Sequence, residues 1–497
     1  MNGHENNQMS RRKFLGFLGS SAATIAVAST GLGPLVEKAE AAAGGSPAAL
    51  PFPSLKPMKA SELTAPIGYS IDSIQPVGSG GGNLVFMQGA SANEGILWVS
   101  RSLAGASDPR ERGASIIGVK REPGGAWKAD KSVAGSRRIT AMDRVQLTGP
   151  AKGSKAMNGS SVAQGLWSNG SVGRTPWGTV LAGERPDDAD AIRAGINPPS
   201  YGWIGEADPK DAGFGVRKHT ALGRFAHGDA TVVVTSSGRI AVYMGGEHAL
   251  YKFISSAKYD PAKGSGNSAL LEDGKLYAAN LSAGRWVELT SEAAGRVLAD
   301  PAYRVPAGVN RLREELLVLL KEQAGVLTNA HEAAFVLGAT KLEGAYGVAL
   351  HPADGSLFVA QRGNDGSGNG HGSILRIVEN GNDAEAVAFE SDLVVAGGRQ
   401  AAISSPGALA FDNSGRLWAA SGIAADQLHQ GAFAAFGSNA LYALTPQGES
   451  FGQAQAFAYA PGDGAMSLPA FGPSGTLFAS VIGADGKQSG VYAFRQL

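Results

Sequence analysis

The chain has 497 residues, and its 43 Lys and Arg balance its 43 Asp and Glu, so the formal net charge is zero. This balance argues against general nucleic-acid binding, which needs a basic excess, and the absence of Cys excludes disulfides, zinc ribbons and thiolate nucleophiles. The 71 Gly are about twice the average usage of roughly 7%. With a 43% hydrophobic content, they favour an all-β fold with many tight turns.

Residues 1–43 are interpreted as an export signal. Arg11 and Arg12 precede a weakly hydrophobic run of small residues, and a small-x-small cleavage site follows at 39–41. This combination is typical of a twin-arginine (Tat) signal peptide. A retained membrane anchor is the alternative, which Gly, Ser and Pro34 within the run disfavour. We expect a periplasmic or secreted mature protein without an integral membrane span.

The mature chain contains a repeated hairpin pattern of two apolar strands around a Gly-bearing turn. Three copies have turn glycines 60 residues apart, and a looser copy precedes them: Gly355, Gly415 and Gly475, with Gly238 in the looser copy. Recurring hairpins at such spacing predict the blades of a β-propeller. A β-sandwich or a solenoid with chance periodicity is the alternative.

The predicted domain organisation is simple. Residues 44–60 are rich in Ala, Gly, Ser and Pro and predict a linker, and 61–497 predict a single propeller domain. A charged, apolar-striped segment at 309–323 predicts a helix with Leu312, Leu316, Leu319 and Leu320 on one face. Together with a second short helix it forms an expected helical insertion at about 308–337.

Short sequence motifs for catalysis or metal binding are almost absent from the chain. No zincin pair, serine elbow or Walker sequence is present. The loop at 363–372 offers Asn364, Asp365, Asn369 and His371 to a hard cation such as calcium, although a plain connecting loop has the same composition.

Several longer segments resemble one known family. Residues 173–184 (GRTPWGTVLAGE), 220–227 (TALGRFAH), 242–253 (VYMGGEHALYKF) and 405–412 (SPGALAFD) resemble motifs of the PhoX-type alkaline phosphatases, in the family's order. The resemblance implies a Tat-exported phosphomonoesterase with a six-bladed propeller. It also implies an axial site in which carboxylates and one Cys hold iron and calcium ions, with a small phosphorylated molecule as substrate.

The chain departs from the family pattern at the implied ligands. Gly170 stands where the family has the iron-binding Cys, Arg185 replaces the second of two glutamates, and Gly228 and Tyr346 replace acids. Because a cation cluster needs its carboxylates to offset dehydration, iron is doubtful here and calcium is the more suitable cation.

The retained positions supply the candidate site residues. Glu184, Glu247 and Asn169 are the candidate metal ligands, with Glu184 alternatively an ion-pair partner of Arg185 or Arg174. His227, Arg174 and Arg185 are further channel candidates, with His227 also suited to a hydrogen bond in the core. We expect the following positions to converge near the propeller axis: Gly170, Glu184, Gly228, Glu247, Tyr346 and Gly407.

Two functions fit these observations. One is a metal-dependent phosphomonoester hydrolase with most ligand positions substituted. The other is a catalytically inactive propeller that binds a ligand or partner through the channel face.

Overall fold

The computed structural model describes residues 51–75, 81–101, 109–133, 135–186, 189–363, 368–447, 450–483 and 489–497. The predicted signal peptide, 1–43, lies outside these residues. The described strands form six larger sheets, here sheets I to VI, and one two-stranded ribbon.

The first strand, β1 (Tyr69–Gln75), belongs to the last sheet. Sheet I contains β2 (Leu84–Gln88), β3 (Glu94–Arg101), β4 (Gly113–Arg121), β5 (Trp127–Ala129) and β6 (Arg137–Thr140). Sheet II contains β7 (Arg144–Thr148), β8 (Val162–Gln164), β9 (Ser168–Arg174), β10 (Val180–Glu184), β11 (Ile204–Ala207) and β12 (Arg217–His219). Its spatial order is β8-β7-β12-β11-β10-β9.

Sheets III and IV are meanders whose spatial order follows the chain. Sheet III contains β13 (His227–Val234), β14 (Arg239–Gly246), β15 (Leu250–Lys258), β16 (Gly274–Asn280) and β17 (Arg285–Glu288). Sheet IV contains β18 (Gly347–Leu350), β19 (Leu357–Gln361), β20 (Ser373–Glu379) and β21 (Phe389–Ala396).

Sheets V and VI complete the fold. Sheet V contains β22 (Pro406–Phe411), β23 (Leu417–Ser421), β24 (Ala440–Leu444) and, after the ribbon of β25 (Pro446–Gln447) and β26 (Ser450–Phe451), β27 (Gln455–Tyr459). Sheet VI contains β28 (Ala465–Met466), β29 (Ala470–Phe471), β30 (Leu477–Ile482), β31 (Gly490–Gln496) and β1.

The sheets follow one another around a closed ring. Strands β2, β9, β13, β18 and β22 contact each other in that order, and β28 and β29 of sheet VI contact sheets V and I. Within sheet VI, β1 pairs antiparallel with β31, so the first and last described strands complete one sheet. The predicted β-propeller is therefore confirmed. Six blades stays a prediction, which the six larger sheets support.

The four predicted hairpin turns occupy equivalent places. Gly238, Gly355, Gly415 and Gly475 each lie between the first two paired strands of sheets III to VI. Their φ angles lie between +70° and +88°, in a region that favours Gly. The repeat visible in the sequence is thus the turn between an inner strand and its neighbour.

The apolar core lies between neighbouring sheets. One cluster contains Tyr243 of sheet III and Val359 of sheet IV, and another contains Phe457 of sheet V and Phe494 of sheet VI. Burial of each such side chain contributes about 1.5–3 kcal/mol. Packing between sheets thereby fixes the inner strands around the axis.

The helical insertion is larger and more broken than expected. In the part of the chain that the structure describes, α1 (Ala189–Arg193) lies within sheet II, and the insertion contains α2 (Ser291–Ala299), α3 (Arg313–Leu319), α4 (Gln323–Thr328) and α5 (Ala330–Val336). Of the described 3₁₀ segments, the longest is Pro261–Leu271. Among the described residues, none of the helices has the length and apolar character needed to cross a bilayer.

The single helix predicted at 309–323 is wrong. The chain leaves helical geometry at Leu320 and restarts at Gln323. A Cβ on Gly325 would lie 2.0 Å from the carbonyl oxygen of Leu319, so the second helix packs tightly on the end of the first. Leu316 and Leu320 are buried as expected, but Leu312 is 68% exposed, at the N-cap position just before α3.

The described part of the predicted linker, 51–60, packs on the propeller. Phe52 and Ala60 are buried, and Leu55 forms a bridge with Ala456 of β27. These residues therefore extend the core of sheet V, a role that their small and Pro-rich composition does not reveal. The bounds of the propeller domain itself stay a prediction.

Candidate functional site

A cavity of about 240 Å³ lies where the inner strands meet, and all six sheets or their adjoining residues line it. Its polar lining residues are Asn83, Ser171, Arg185, Asp229, Tyr346, Arg362 and Ser421. Its apolar and glycine lining residues are Gly170, Gly407, Ala408, Ala420, Gly422, Ala465, Met466 and Ile482. Three of the positions expected at the axis, Gly170, Tyr346 and Gly407, are among them.

Two guanidinium groups flank Tyr346 in this cavity. Arg185 follows β10 directly and donates from Nη1 to the Tyr346 hydroxyl at 3.2 Å. Arg362 follows β19 and lies over the Tyr346 ring, 5.6 Å from its centroid. Burial raises the pKa of Tyr346 to about 12, so its hydroxyl stays protonated and neutral at physiological pH.

Glu247, a predicted metal ligand, lies next to this group and pairs with Arg185. The distance from Arg185 Nη2 to Glu247 Oε2 is 2.6 Å, and both side chains are about one-third exposed. Its carboxylate therefore already has a cationic partner in the protein.

Other atoms of the chain lie close to three glycines near the cavity, one of which, Gly228, stands where the resemblance implies an acid. A Cβ on Gly228 would lie 2.2 Å from the carbonyl oxygen of Tyr346, and a Cβ on Gly407 would lie 3.0 Å from Arg362 Nη2. Gly422 approaches the same guanidinium as closely. These glycines make room for the Tyr346 backbone and for Arg362, which is a cation.

Glu184, the second predicted metal ligand, does not line the cavity. It is fully buried and pairs with Lys218 at 2.8 Å, and neither side chain has any exposed area. Oε1 also accepts from Trp167 N at 2.7 Å, while Oε2 accepts from Gly202 N and Trp203 N. The alternative of an ion pair with Arg185 or Arg174 is wrong, because the fold brings Lys218 of β12 to this carboxylate instead.

The remaining candidates differ in their placement. His227 is buried, donates from Nε2 to the Gly223 carbonyl oxygen at 3.1 Å, and has its pKa lowered by burial to about 3. The predicted hydrogen bond of His227 within the core is confirmed. Arg174 is exposed at the far end of β9 and does not line the cavity. Asn169 lies within β9, and its side chain is outside the described residues.

Asp229 is the cavity carboxylate that sequence reasoning missed. It is 5% exposed, and its carboxylate accepts hydrogen bonds from Asn83 Nδ2 and Val172 N. Burial raises its pKa to about 6. A register shift between His227 and Ala230 accompanies this placement. The available signal was an Asp directly after Gly228, the position where the resemblance implies an acid.

The described residues do not fit the iron and calcium ions that the resemblance implies. Within the described ranges, no group of three or more Asp, Glu or His side chains could hold a metal ion. The residues that line the cavity instead include two cations, Arg185 and Arg362, and one carboxylate, Asp229. Glu247 is already paired with Arg185. This donor set suits an anion better than a cluster of cations.

The predicted calcium loop is only partly described. Asn364 and Asp365 lie outside the described residues, while His371 Nδ1 lies 3.0 Å from Ser404 Oγ. Calcium binding at this loop therefore stays a prediction.

Comparisons with known proteins place the chain in a family. The model of the family "Alkaline phosphatase PhoX" matches residues 104–485. The structure of Pseudomonas fluorescens PhoX in complex with vanadate, a transition state analogue, superposes with a TM-score of 0.73 at 23% identity. That match covers 90% of this chain and 98% of the solved one.

More distant solved structures are similar only in outline. A Trichoderma reesei family AA12 carbohydrate-active enzyme has a TM-score of 0.38 at 11% identity, covering 88% of this chain and 99% of its own. The gluconolactonase XC5397 of Xanthomonas campestris has a TM-score of 0.36 at 10% identity, covering 92% and 99%. No curated protein matches the sequence. On the family-model match, which spans more than half of its length, the chain belongs to the alkaline phosphatase PhoX family.

Proposed function

We propose that this protein is an exported PhoX-family member that binds the phosphoryl group of a small phosphorylated molecule in the axial cavity. The observation that carries the proposal is that Arg185 and Arg362 both line this cavity and both contact Tyr346. The planar guanidinium fork matches phosphate oxygens in geometry and charge.

The surroundings of the two arginines support an anionic ligand. Tyr346 is neutral and accepts from Arg185, so its own hydroxyl hydrogen, which Glu247 accepts in the free protein, can instead be donated to an oxyanion. Glu247 neutralises Arg185 in the free protein, which leaves Arg362 as the main attractive charge for an entering phosphate. Ala408, Ala465 and Met466 also line the cavity and give part of it an apolar character that suits a small organic group.

Calorimetric titration with phenyl phosphate at pH 5, at which the ester is largely a monoanion that carries a P–O–H hydrogen, tests this proposal. We expect Arg362→Gln to weaken binding about tenfold or more, because loss of a charge-assisted hydrogen bond costs about 1.5–3 kcal/mol. Arg174→Gln is the matched control, since Arg174 is exposed outside the cavity. Equal affinities of wild type and Arg362→Gln would contradict the proposal.

Metal-dependent phosphomonoester hydrolysis is the second candidate, and the family-model match favours it. Elemental analysis of protein from its own host, together with a phosphatase assay before and after chelation, separates the two. Stoichiometric metal with chelator-sensitive hydrolysis would favour the hydrolase. Phenyl phosphate binding that survives chelation without hydrolysis would favour the binding protein.

Export through the Tat pathway is a separate part of the proposal. It is supported by the paired Arg11 and Arg12 ahead of a weakly hydrophobic run. We expect replacement of both arginines by Lys to leave the protein inside the cell, as followed by fractionation. Unchanged export would contradict the proposed route.

A further inference from the structure

We propose that Asp229 makes the cavity selective for oxyanions that carry a hydrogen, such as inorganic hydrogen phosphate or the monoanion of a phosphate monoester. Sulfate, which carries none, is rejected while Asp229 is ionised. The inference rests on the proposed function, because it assumes that the oxyanion enters the cavity lined by Arg185 and Arg362.

The orientation of the Asp229 carboxylate is fixed by uncharged donors. Oδ1 accepts from Asn83 Nδ2 at 3.0 Å and from Val172 N at 2.9 Å, while Oδ2 accepts from Asn83 Nδ2 at 3.2 Å. The Asp229 backbone N–H donates to the Tyr346 carbonyl oxygen at 2.7 Å. An ionised carboxylate has about four acceptor positions, so Oδ2 retains capacity for one more donor.

A ligand in this cavity meets both charges of the wall. The guanidinium groups of Arg185 and Arg362 attract an oxyanion, while the buried carboxylate of Asp229 repels its oxygens. Tyr346 is neutral, and Glu247 is engaged with Arg185. A ligand oxygen can therefore contact Asp229 only with a hydrogen between the two oxygens, supplied by one side or the other.

The source of that hydrogen depends on pH. Since burial raises the pKa of Asp229 to about 6, its carboxyl is ionised at pH 8 and the ligand has to supply the hydrogen. Inorganic phosphate still has a P–O–H group at pH 8 and donates it to Oδ2, whereas sulfate has none. At pH 5 the protonated Asp229 carboxyl itself donates, so both ions are accepted.

Titration calorimetry of the mature protein, from which the predicted signal peptide has been removed, with inorganic phosphate and with sulfate tests the inference. At pH 8, we expect wild type to bind phosphate at least about tenfold more tightly than sulfate. A sulfate oxygen would face the buried Asp229 carboxylate with no hydrogen between the two oxygens, and this contact is strongly unfavourable. Asp229→Asn should reduce this preference to within about threefold, because an amide donates to either ion. Asp300→Asn, an exposed change of equal charge on the helical insertion, should leave the preference intact.

Two results would overturn the inference: equal phosphate and sulfate affinities of wild type at pH 8, or an unchanged preference in Asp229→Asn. If Asp229→Asn does not fold, the wild-type pH series decides. Sulfate affinity has to rise about tenfold or more between pH 8 and pH 5 while phosphate affinity changes little, and a flat sulfate profile overturns the selectivity. Failure of both ions to bind wild type at either pH would instead contradict the proposed function.

Discussion

Two carboxylates that looked equivalent in the sequence have different surroundings in the fold. Glu184 is fully buried, pairs with Lys218 and accepts three backbone N–H groups, whereas Glu247 is about one-third exposed beside the axial cavity and pairs with Arg185. A buried pair is costly to break, while a partly exposed pair contributes little to stability. Glu184 therefore stabilises sheet II, and Glu247 adjusts the charge of the cavity.

The largest effect is expected for Glu184→Ala. It leaves the Lys218 ammonium buried and three backbone donors without their acceptor, so we expect the free energy of unfolding to fall by about 3–5 kcal/mol. Urea denaturation followed by circular dichroism measures this loss. As a control, the double variant Glu184→Gln with Lys218→Met should recover much of the stability. A loss below about 1 kcal/mol in Glu184→Ala would contradict the structural role.

A third carboxylate, Asp229, is expected to make the stability of the protein depend on pH. Its pKa in the folded protein, about 6, lies above the ordinary value of 3.8, so the folded state binds the proton more tightly than the unfolded state. Stability should therefore fall as pH rises from about 4 to 6, by roughly 2–3 kcal/mol from this group. Denaturation of Asp229→Asn across this range should lack that decrease. An identical pH dependence in both proteins would show that Asp229 is not the source.

The glycines around the cavity give a smaller effect. Since a Cβ on Gly228 would lie 2.2 Å from the Tyr346 carbonyl oxygen, we expect Gly228→Ala to destabilise the protein by about 1–3 kcal/mol. Gly295→Ala in α2 is the control, because its Cβ would meet no atom within 4 Å and Ala favours a helix. Thermal melting compares them, and tolerance of Ala at Gly228 would argue against the tight contact.

The smallest stability effect is expected for Glu247→Gln. Loss of its partly exposed ion pair with Arg185 should cost about 0–1 kcal/mol. Phenyl phosphate should bind more tightly to this variant, because Arg185 no longer has an internal carboxylate partner. Weaker binding measured by calorimetry would show that Glu247 assists the ligand instead of competing with it.

The sequence predicted the propeller well because turn chemistry is local. Gly355, Gly415 and Gly475 need positive φ angles, and this requirement is visible as a repeat without any tertiary information. The broken helix after Leu320 was missed because its cause is a close approach of Gly325 to Leu319, which periodicity does not encode.

The candidate site was predicted less well, because strand pairing and register decide which side chains meet. The packing that brings Lys218 to Glu184 is absent from any linear motif, and so is the irregular pairing of β13 near Asp229. Arg185 and Tyr346 are visible in the sequence as substitutions of the residues that the resemblance implies, but the contacts of Tyr346 with Arg185 and Arg362 appear only in the fold.

The most direct test of an arginine-based phosphate site is calorimetric binding of inorganic phosphate to chelator-treated protein at pH 8. The account predicts one phosphate per chain without added metal, with affinity lowered about tenfold or more by Arg362→Gln and unchanged by Arg174→Gln. Binding that disappears on chelation and returns only with iron or calcium would contradict it.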